Sequence, residues 1–443
     1  MQARGLHHKL PRLLVVVHAS RVHVSERASA ELREGILNHH RDTEGTENSQ
    51  KKPLCRTLCS LWLRGSGRVV EPIPLLRLPI WAKDKFSAAG TMTSTMADYS
   101  HENPLVPADA VRRWVDQLPQ PVAVTGGTGF IGSHLVDTLC AAGIEPRVLV
   151  RDPAAPRWIG GAPVHWVEGS LADEAALDRL VENAGTVFHL AGVVRAVDEA
   201  GFDRGNRVGT EALARCVGRV APLARLVVVS SLAAAGPSPT AEGVGPDDPA
   251  APISSYGRSK LEAERAVTAS RSGGWWAVVR PPAVYGPRDT DVFEFFKMAS
   301  RGMVVLPAGE RWVTVAWVGD VVRSVLAAAV GHGERIYHIG EPSPLTMDGL
   351  VATLCGSGRV KARLVRLPEA VVRGVGLLGS AMQRFGLRAV PLNRDKAREL
   401  VARHWTAATT ESMTELDLLP ATGFADGTAI SWSWYRDRGW LRR

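Results

Sequence analysis

Residues 121–132 read PVAVTGGTGFIG, a short apolar run followed by a glycine-rich turn and the opening of an apolar helix. Gly126, Gly129 and Gly132 are spaced G-x-x-G-x-x-G, and Gly127, Gly129 and Gly132 also satisfy G-x-G-x-x-G. Glycines between a strand and a helix let the backbone approach a pyrophosphate, whose charge meets the helix N-terminus. A tight strand-to-helix turn explains the same letters without a ligand, but their place in a first βαβ unit favours dinucleotide binding. Thr125, Gly126, Gly127, Gly129, Phe130, Ile131 and Gly132 are therefore the candidate cofactor turn.

Downstream of this turn, short apolar runs alternate with helical segments, the signature of βαβ units and a parallel sheet. PVAVTG, PRVLVR, PVHWVEG, TVFHLAG, LVVVSS and WAVVRP read as successive strands, rich in Val and Leu as strands buried on both faces are. Residues 129–142, 174–183, 202–217 and 255–270 read as the helices between them. Beyond residue 281 helices at 292–301, 319–330 and 347–355 are interleaved with short strands such as ERIYHIG and KARLVRL, and the chain ends in a Trp-rich helix, SWSWYRDRGWL. The expected fold is α/β: a Rossmann-type doubly wound parallel sheet with a smaller C-terminal α/β substrate-binding cap. The expected division is an N-terminal extension over 1–115, an NAD(P)-binding domain over 116–280, and a cap over 281–443 with some return to the sheet.

Composition bounds the function class. The chain has 443 residues, 45% hydrophobic and 22% charged, which excludes a disordered, collagenous or disulfide-stapled protein. Its net charge of +8 lies almost wholly in residues 1–91, with 15 Lys/Arg against 8 Asp/Glu; the remainder holds 38 against 37. The body is near neutral, so no nucleic-acid partner is expected. Six of the 13 histidines share that first stretch without metal-site spacing, and no metal is expected. Five scattered cysteines, with Cys55 and Cys59 forming an isolated C-x3-C, fit a reducing cytoplasm. No apolar run reaches 18 residues, and residues 13–17 are shorter than a signal-peptide core, so neither secretion nor a membrane span is expected. The apolar helix over 367–385, interrupted by Arg373 and Arg384, suits packing on the body, roofing a cleft or touching a membrane surface. Residues 1–110 lack sustained periodicity and are expected to be largely disordered; Met92 and Met96 just before the organised region fit a translation start assigned too early.

The end of the second strand distinguishes the nicotinamide cofactors. An acid there takes the ribose 2′-OH of NAD, whereas an arginine accommodates a 2′-phosphate. In VLVRDP the strand runs into Arg151, which favours NADP(H); a one-residue register slip puts Asp152 in its place and favours NAD(H). Arg157 assists or is a solvated loop charge. Tyr256 and Lys260 form Y-x-x-x-K, and i, i+4 spacing puts both on one helix face. A tyrosine, with an ordinary pKa of about 10, exchanges protons near neutrality only when a cation stabilises its phenolate. Ser231, at the tip of LVVVSS, is placed to hydrogen-bond a substrate oxygen, with Ser230 one residue further back. Asn206, in NRVGT, either holds a backbone break and a water chain near Lys260 or caps local structure.

The ordered set TGGTGFIG, HLAG, NRVGT, the serine of SLAAAG, YGRSK and RPPAVYGP resembles the extended short-chain dehydrogenase/reductases of the NAD(P)-dependent epimerase/dehydratase superfamily, over residues 121–443. The resemblance implies that Tyr256 is the catalytic acid/base, that Lys260 binds the nicotinamide ribose and lowers the tyrosine pKa, and that Ser231 orients the substrate. It also implies that Leu171, Leu190, Ala191, Gly192, Pro281 and Val284 line the cofactor. Two departures narrow the chemistry. Where the family commonly reads G-D-L, this chain has Gly169, Ser170 and Leu171, which weakens an adenine contact. Where nucleotide-sugar dehydratases carry an Asp-Glu pair, it has Leu232 and Ala233, which disfavours dehydration. The pattern is most similar to dihydroflavonol-reductase-like and 3β-hydroxysteroid-dehydrogenase-like members. It implies a dehydrogenase or reductase acting on a secondary alcohol or ketone of an apolar, steroid-, flavonoid- or lipid-like small molecule. The rivals are a nucleotide-sugar epimerase with tightly held NAD and a non-catalytic cofactor-binding scaffold or redox sensor. A homodimer is a further expectation from the resemblance.

Overall fold

The computed structural model describes residues 99–384, 392–419 and 422–442; the expectations that fall on residues 1–98, among them the histidine-rich stretch, Cys55, Cys59, Met92 and Met96, lie outside the described residues. Seven parallel strands form the central sheet: β1 (Val122–Thr125), β2 (Arg147–Val150), β3 (His165–Glu168), β4 (Thr186–His189), β5 (Arg225–Val229), β6 (Trp276–Arg280) and β7 (Arg335–His338). Their order is β7-β6-β5-β4-β1-β2-β3. The chain builds outward from β1 through β2 and β3, then returns to the other side of β1 at β4. That reversal opens a crevice beyond the carboxyl ends of β1 and β4, where such sheets bind ligands. Every residue of β1, β4 and β6 is buried, as expected of a sheet covered on both faces.

One face is covered by α1 (Ala108–Val115), α2 (Phe130–Ala141) and α6 (Val318–Val330), which share a core through Val111, Trp114, Leu135, Leu139, Val321 and Val325. The other is covered by α3 (Glu174–Val181), α4 (Gly209–Val220) and α5 (Ser255–Ser270), through Leu177, Leu180, Leu213, Val217 and Val267. Helix α1 alters the expected boundary at 115/116. Val111 and Trp114 are buried in the main core, and Arg113 pairs with Asp417 at 2.5 Å, so the folded body begins upstream of residue 116. Eight residues offer barely two helical turns of periodicity, which is why the sequence did not mark this helix.

After β6 the chain builds the opposite end of the molecule, where Ala283–Tyr285 pairs with Val315–Trp317 and Met303–Pro307 pairs with Arg363–Leu367, both in parallel. It returns to the main sheet at β7 before continuing into α7 (Glu369–Arg384), α8 (Arg394–Val401) and α9 (Phe424–Asp437). The Trp-rich α9 packs on this end: Trp432 and Tyr435 are fully buried, with the Trp432 ring 5.2 Å from that of Phe296. The helix expected over 202–217 is interrupted. Glu199–Phe202 is α-helical, Asp203–Val208 is a π-helical turn, and α4 starts only at Gly209.

Candidate active site

The glycine turn joins β1 to α2 beneath the β1/β4 crevice. Gly126 has φ +73°, and a Cβ there would lie 2.4 Å from the Ala191 nitrogen, so the turn fits only against the strand-end residues Leu190 and Ala191. A Cβ on Gly132 would lie 2.1 Å from the Gly126 carbonyl oxygen. The first turn of α2 begins at Gly129, which has no side chain to cap it. The amides of Phe130, Ile131 and Gly132 therefore lack an intrahelical acceptor, which is the donor set an anion takes at a helix N-terminus. The chemistry of this turn fits a dinucleotide pyrophosphate.

At the end of β2 both Arg151 and Asp152 are exposed. The Asp152 carboxylate accepts the Ala154 amide at 2.9 Å and so serves its own loop. Among the described residues Arg151 has no hydrogen bond or ion pair. Leu171 packs beside the start of α4, where a Cβ on Gly209 would lie 2.7 Å from its Cδ1. The Pro281 carbonyl accepts the Leu232 amide at 2.8 Å, which ties the segment leading to Val284 to the residue after Ser231.

Ser231, Tyr256 and Lys260 come together at the carboxyl end of β5. Ser231 caps the short helix Leu232–Ala235 by accepting the Ala233 amide at 3.2 Å. Tyr256 stands in the first turn of α5, capped by Ser254, whose hydroxyl accepts the Gly257 amide at 3.1 Å. A Cβ on Gly257 would lie 2.3 Å from the Ala233 oxygen, so the two short helical starts abut and the Tyr256 phenol meets the Ser231 hydroxyl. Burial pushes the phenol up to about 12; the Ser231 hydrogen bond draws it down, and the Glu399 and Asp291 carboxylates push it up. Lys260, one turn on, is buried and donates to the Val229 carbonyl at 3.0 Å. Burial brings it down to about 8, opposed by the Glu264 carboxylate.

Asn206 sits in the π-turn, where the extra residue swings its side chain inward. Its Oδ1 accepts the Val193 amide at 2.7 Å, and its Nδ2 donates to the Val193 carbonyl at 3.0 Å and to Ser259 Oγ at 2.9 Å. It thus clamps the loop after β4 to α5, between Tyr256 and Lys260. Gly192 lies in this clamp, where a Cβ would be 3.1 Å from Asn206 Oδ1 and 3.3 Å from Lys260 Nζ.

Other groups supporting the site went unmarked in the sequence. His189 bridges Thr125 Oγ1 at 2.6 Å and Thr210 Oγ1 at 2.8 Å, and burial with the nearby Lys260 charge brings it down to about 3. Glu264 forms a buried ion pair with Arg280 at 2.6 Å and accepts a hydrogen bond from Ser230, while Arg280 reaches His338 at 3.3 Å. Glu264 continues the i, i+4 face of Tyr256 and Lys260, a signal available in the sequence; its pairing with β6 is set by the fold.

From α8 the Asp395 carboxylate accepts the Ser255 amide at 2.7 Å, so α8 touches the start of the Tyr256 helix. A cleft of about 530 Å³ opens there, lined by Pro252, Ile253, Arg258, Arg373, Arg398 and Val401. Val194 and Val197, on the loop after β4, are exposed.

Residues 122–340 match the family model described as NAD dependent epimerase/dehydratase family. The chain is 36% identical over 329 residues to the ceramide reductase of Caulobacter vibrioides, spanning 72% of this chain and 96% of that protein. It is 27% identical over 298 residues to the 4-hydroxy-2-methyl-3-oxo-4-farnesyl-3,4-dihydroquinoline-1-oxide ketoreductase of Stigmatella aurantiaca, spanning 62% and 89%. Among solved structures, the UDP-glucose 4-epimerase of Thermus thermophilus in complex with NAD is alike in fold, with a TM-score of 0.58 at 23% identity over 71% of this chain and 98% of that one.

Proposed function

The chain belongs to the NAD dependent epimerase/dehydratase family and is an NAD(P)-dependent oxidoreductase of the extended short-chain dehydrogenase/reductase type, and from that premise we propose that it interconverts a ketone and a secondary alcohol on an apolar substrate with NADP(H) as preferred cofactor. The observation that carries this reading is the Ser231 and Tyr256 hydroxyl pair at the end of β5, flanked by Leu232 and Ala233 rather than by carboxylates. Two hydroxyls that share one hydrogen bond polarise a carbonyl oxygen, while elimination of water needs an acid and a base that those neighbours do not supply. The exposed valines of the loop after β4 and the relatives named a ceramide reductase and a farnesyl-bearing ketoreductase favour an apolar substrate over a nucleotide sugar.

Tyr256 transfers the proton to or from the substrate oxygen, and Ser231 orients that oxygen. Lys260 would hold the nicotinamide ribose, and Asn206, through Ser259 and Val193, fixes the distance between the loop after β4 and α5. The glycine turn with the α2 amides holds the pyrophosphate, Arg151 holds a 2′-phosphate, and Leu171, Leu190, Ala191, Gly192, Pro281 and Val284 line the remaining cofactor path. When bound, the nicotinamide would supply or take up the hydride. In this reading the cofactor belongs mainly to residues 116–280, with Pro281 and Val284 just beyond, and the substrate mainly to residues 281–443.

Calorimetric titration of the full chain with NADPH and with NADH tests the cofactor assignment. Tighter binding of NADPH is expected, and Arg151→Ala should weaken NADPH at least about tenfold while sparing NADH, since a charge-assisted phosphate contact contributes about 1.5–3 kcal/mol. NAD carried through purification, with no net consumption of free cofactor during turnover, would move the assignment to an epimerase.

A further inference from the structure

Helix α7 is amphipathic in an inverted sense. Its inner face is nearly featureless: Val372 packs on Ala397 and Val401 of α8, and Gly376 lies so close that a Cβ would be 2.5 Å from that of Ala397. The Ser380 hydroxyl accepts the Arg394 amide at 2.8 Å, completing the seam. Its outer face carries the large apolar side chains: Val371, Val375, Leu377, Leu378 and Met382 are 46%, 47%, 55%, 62% and 38% exposed. Val371, Val375, Leu378 and Met382 follow a 4-3-4 spacing and form one stripe, where a helix bathed in water carries charge. Arg373 is the charged residue among the exposed described positions of this helix.

The charge around the stripe is equally uneven. Residues 361–403 hold ten Lys/Arg against three Asp/Glu, whereas the rest of the chain from residue 92 onward holds 28 against 34. The near-neutral body thus conceals one strongly basic stretch of sequence, and α7 with its exposed apolar stripe lies within that stretch. Among the described residues no helix is long and apolar enough to cross a membrane. The 16 residues of α7 span about 24 Å, short of a hydrocarbon core of about 30 Å. An apolar stripe of this length within a basic field matches a helix lying in the plane of a bilayer surface, with side chains among the acyl chains and arginines among anionic headgroups.

We propose that α7 and its basic surroundings dock the protein on the surface of an anionic lipid bilayer. Arg373 belongs to both the docking face and the cleft lined by Pro252, Ile253, Arg258 and Arg398, which opens at the start of the Tyr256 helix. Docking therefore sets the mouth of that cleft at the headgroup level. An apolar substrate would enter from the membrane rather than through water, a consequence that rests on the function proposed above; the docking does not.

The test is flotation of the full-length chain with vesicles of phosphatidylcholine alone and of phosphatidylcholine with 30% phosphatidylglycerol, beside the Val375→Glu/Leu378→Glu variant. Both substituted side chains are exposed, so NADPH affinity and the urea unfolding midpoint serve as checks that the variant is folded and its cofactor site intact. The expected result is wild-type association with the anionic vesicles, at least about tenfold weaker on the neutral ones and in the variant. Association of the variant equal to wild type overturns the proposal and assigns the binding to the basic residues 1–91. Absence of vesicle binding by the wild type also overturns it. A concentration-dependent dimer that the variant dissolves, without vesicle binding, gives the stripe to a second copy of the chain and overturns it too. Because flotation needs no turnover, the proposed reaction and the docking stand or fall separately.

Discussion

A phenol held near 12 keeps its proton throughout the neutral range, which suits Tyr256 to the proton-donor role proposed above. Replacing it with phenylalanine removes the donated proton and leaves the glycine turn untouched. Tyr256→Phe should lower kcat by about 10²- to 10⁴-fold in steady-state assays while NADPH affinity, by titration, stays within about twofold. Lys260 gives the complementary pH signature. Below about 8 it is an ammonium that donates to Val229 and, in the function proposed above, would donate to the ribose; above that it loses its charge. NADPH-dependent reduction should fall as pH rises through about 8, and Lys260→Arg, which keeps its charge, should erase that limb of the pH-rate profile. Tyr256 and Lys260 were legible because four residues on a helix make one face whatever the fold does elsewhere. Glu399 and Asp291, which act on the same phenol, come from segments distant in sequence, and no local spacing points to them.

The inner strands of the sheet were legible one by one, since a strand buried on both faces is a nearly continuous run of apolar residues. Turns with steric demands were legible for a similar reason. Gly126 combines φ +73° with a neighbour 2.4 Å from any added Cβ, and Gly126→Ala should cost at least about 2 kcal/mol in urea unfolding. The break before α4 was not legible. Helical periodicity continues through DRGNRV, and the π-turn exists because Asn206 makes three hydrogen bonds, two to Val193 on the loop after β4 and one to Ser259 on α5. Those partners are products of packing, so the sequence offered Asn206 as a candidate without deciding its use. The helix expected over 367–385 formed as Glu369–Arg384, but its exposed and covered faces were set by α8, which the periodicity alone did not orient.

For the whole molecule, buried titratable groups of opposite tendency govern acid stability. Burial holds His134 and His189 down at about 3 and His338 at about 4. The unfolded chain takes up protons on these three near 6.5, so each withdraws stability as pH falls below that value. Burial raises Asp137 to about 6 and Asp289 to about 7, and these are protonated in the fold well before the unfolded chain protonates them, which adds stability as pH falls. Near pH 5 the three histidines outweigh the two aspartates by one proton, a slope of about 1.4 kcal/mol per pH unit from these groups. Asp289→Asn should roughly double that slope in urea midpoints measured between pH 4.5 and 6. The doubly wound sheet itself was legible from the alternation of strands and helices, while the reach of the body upstream to α1 was not.

Strand β7 joins the sheet after the chain has left it for more than fifty residues. During synthesis, β6 waits with one backbone edge unpaired until residue 338 clears the ribosome, and a bare edge invites pairing with another chain. The latter part of the sequence thus shields the earlier part from aggregation. The two candidate domains are not separable cassettes: a gene fragment ending near residue 280 would encode a sheet with an open seam.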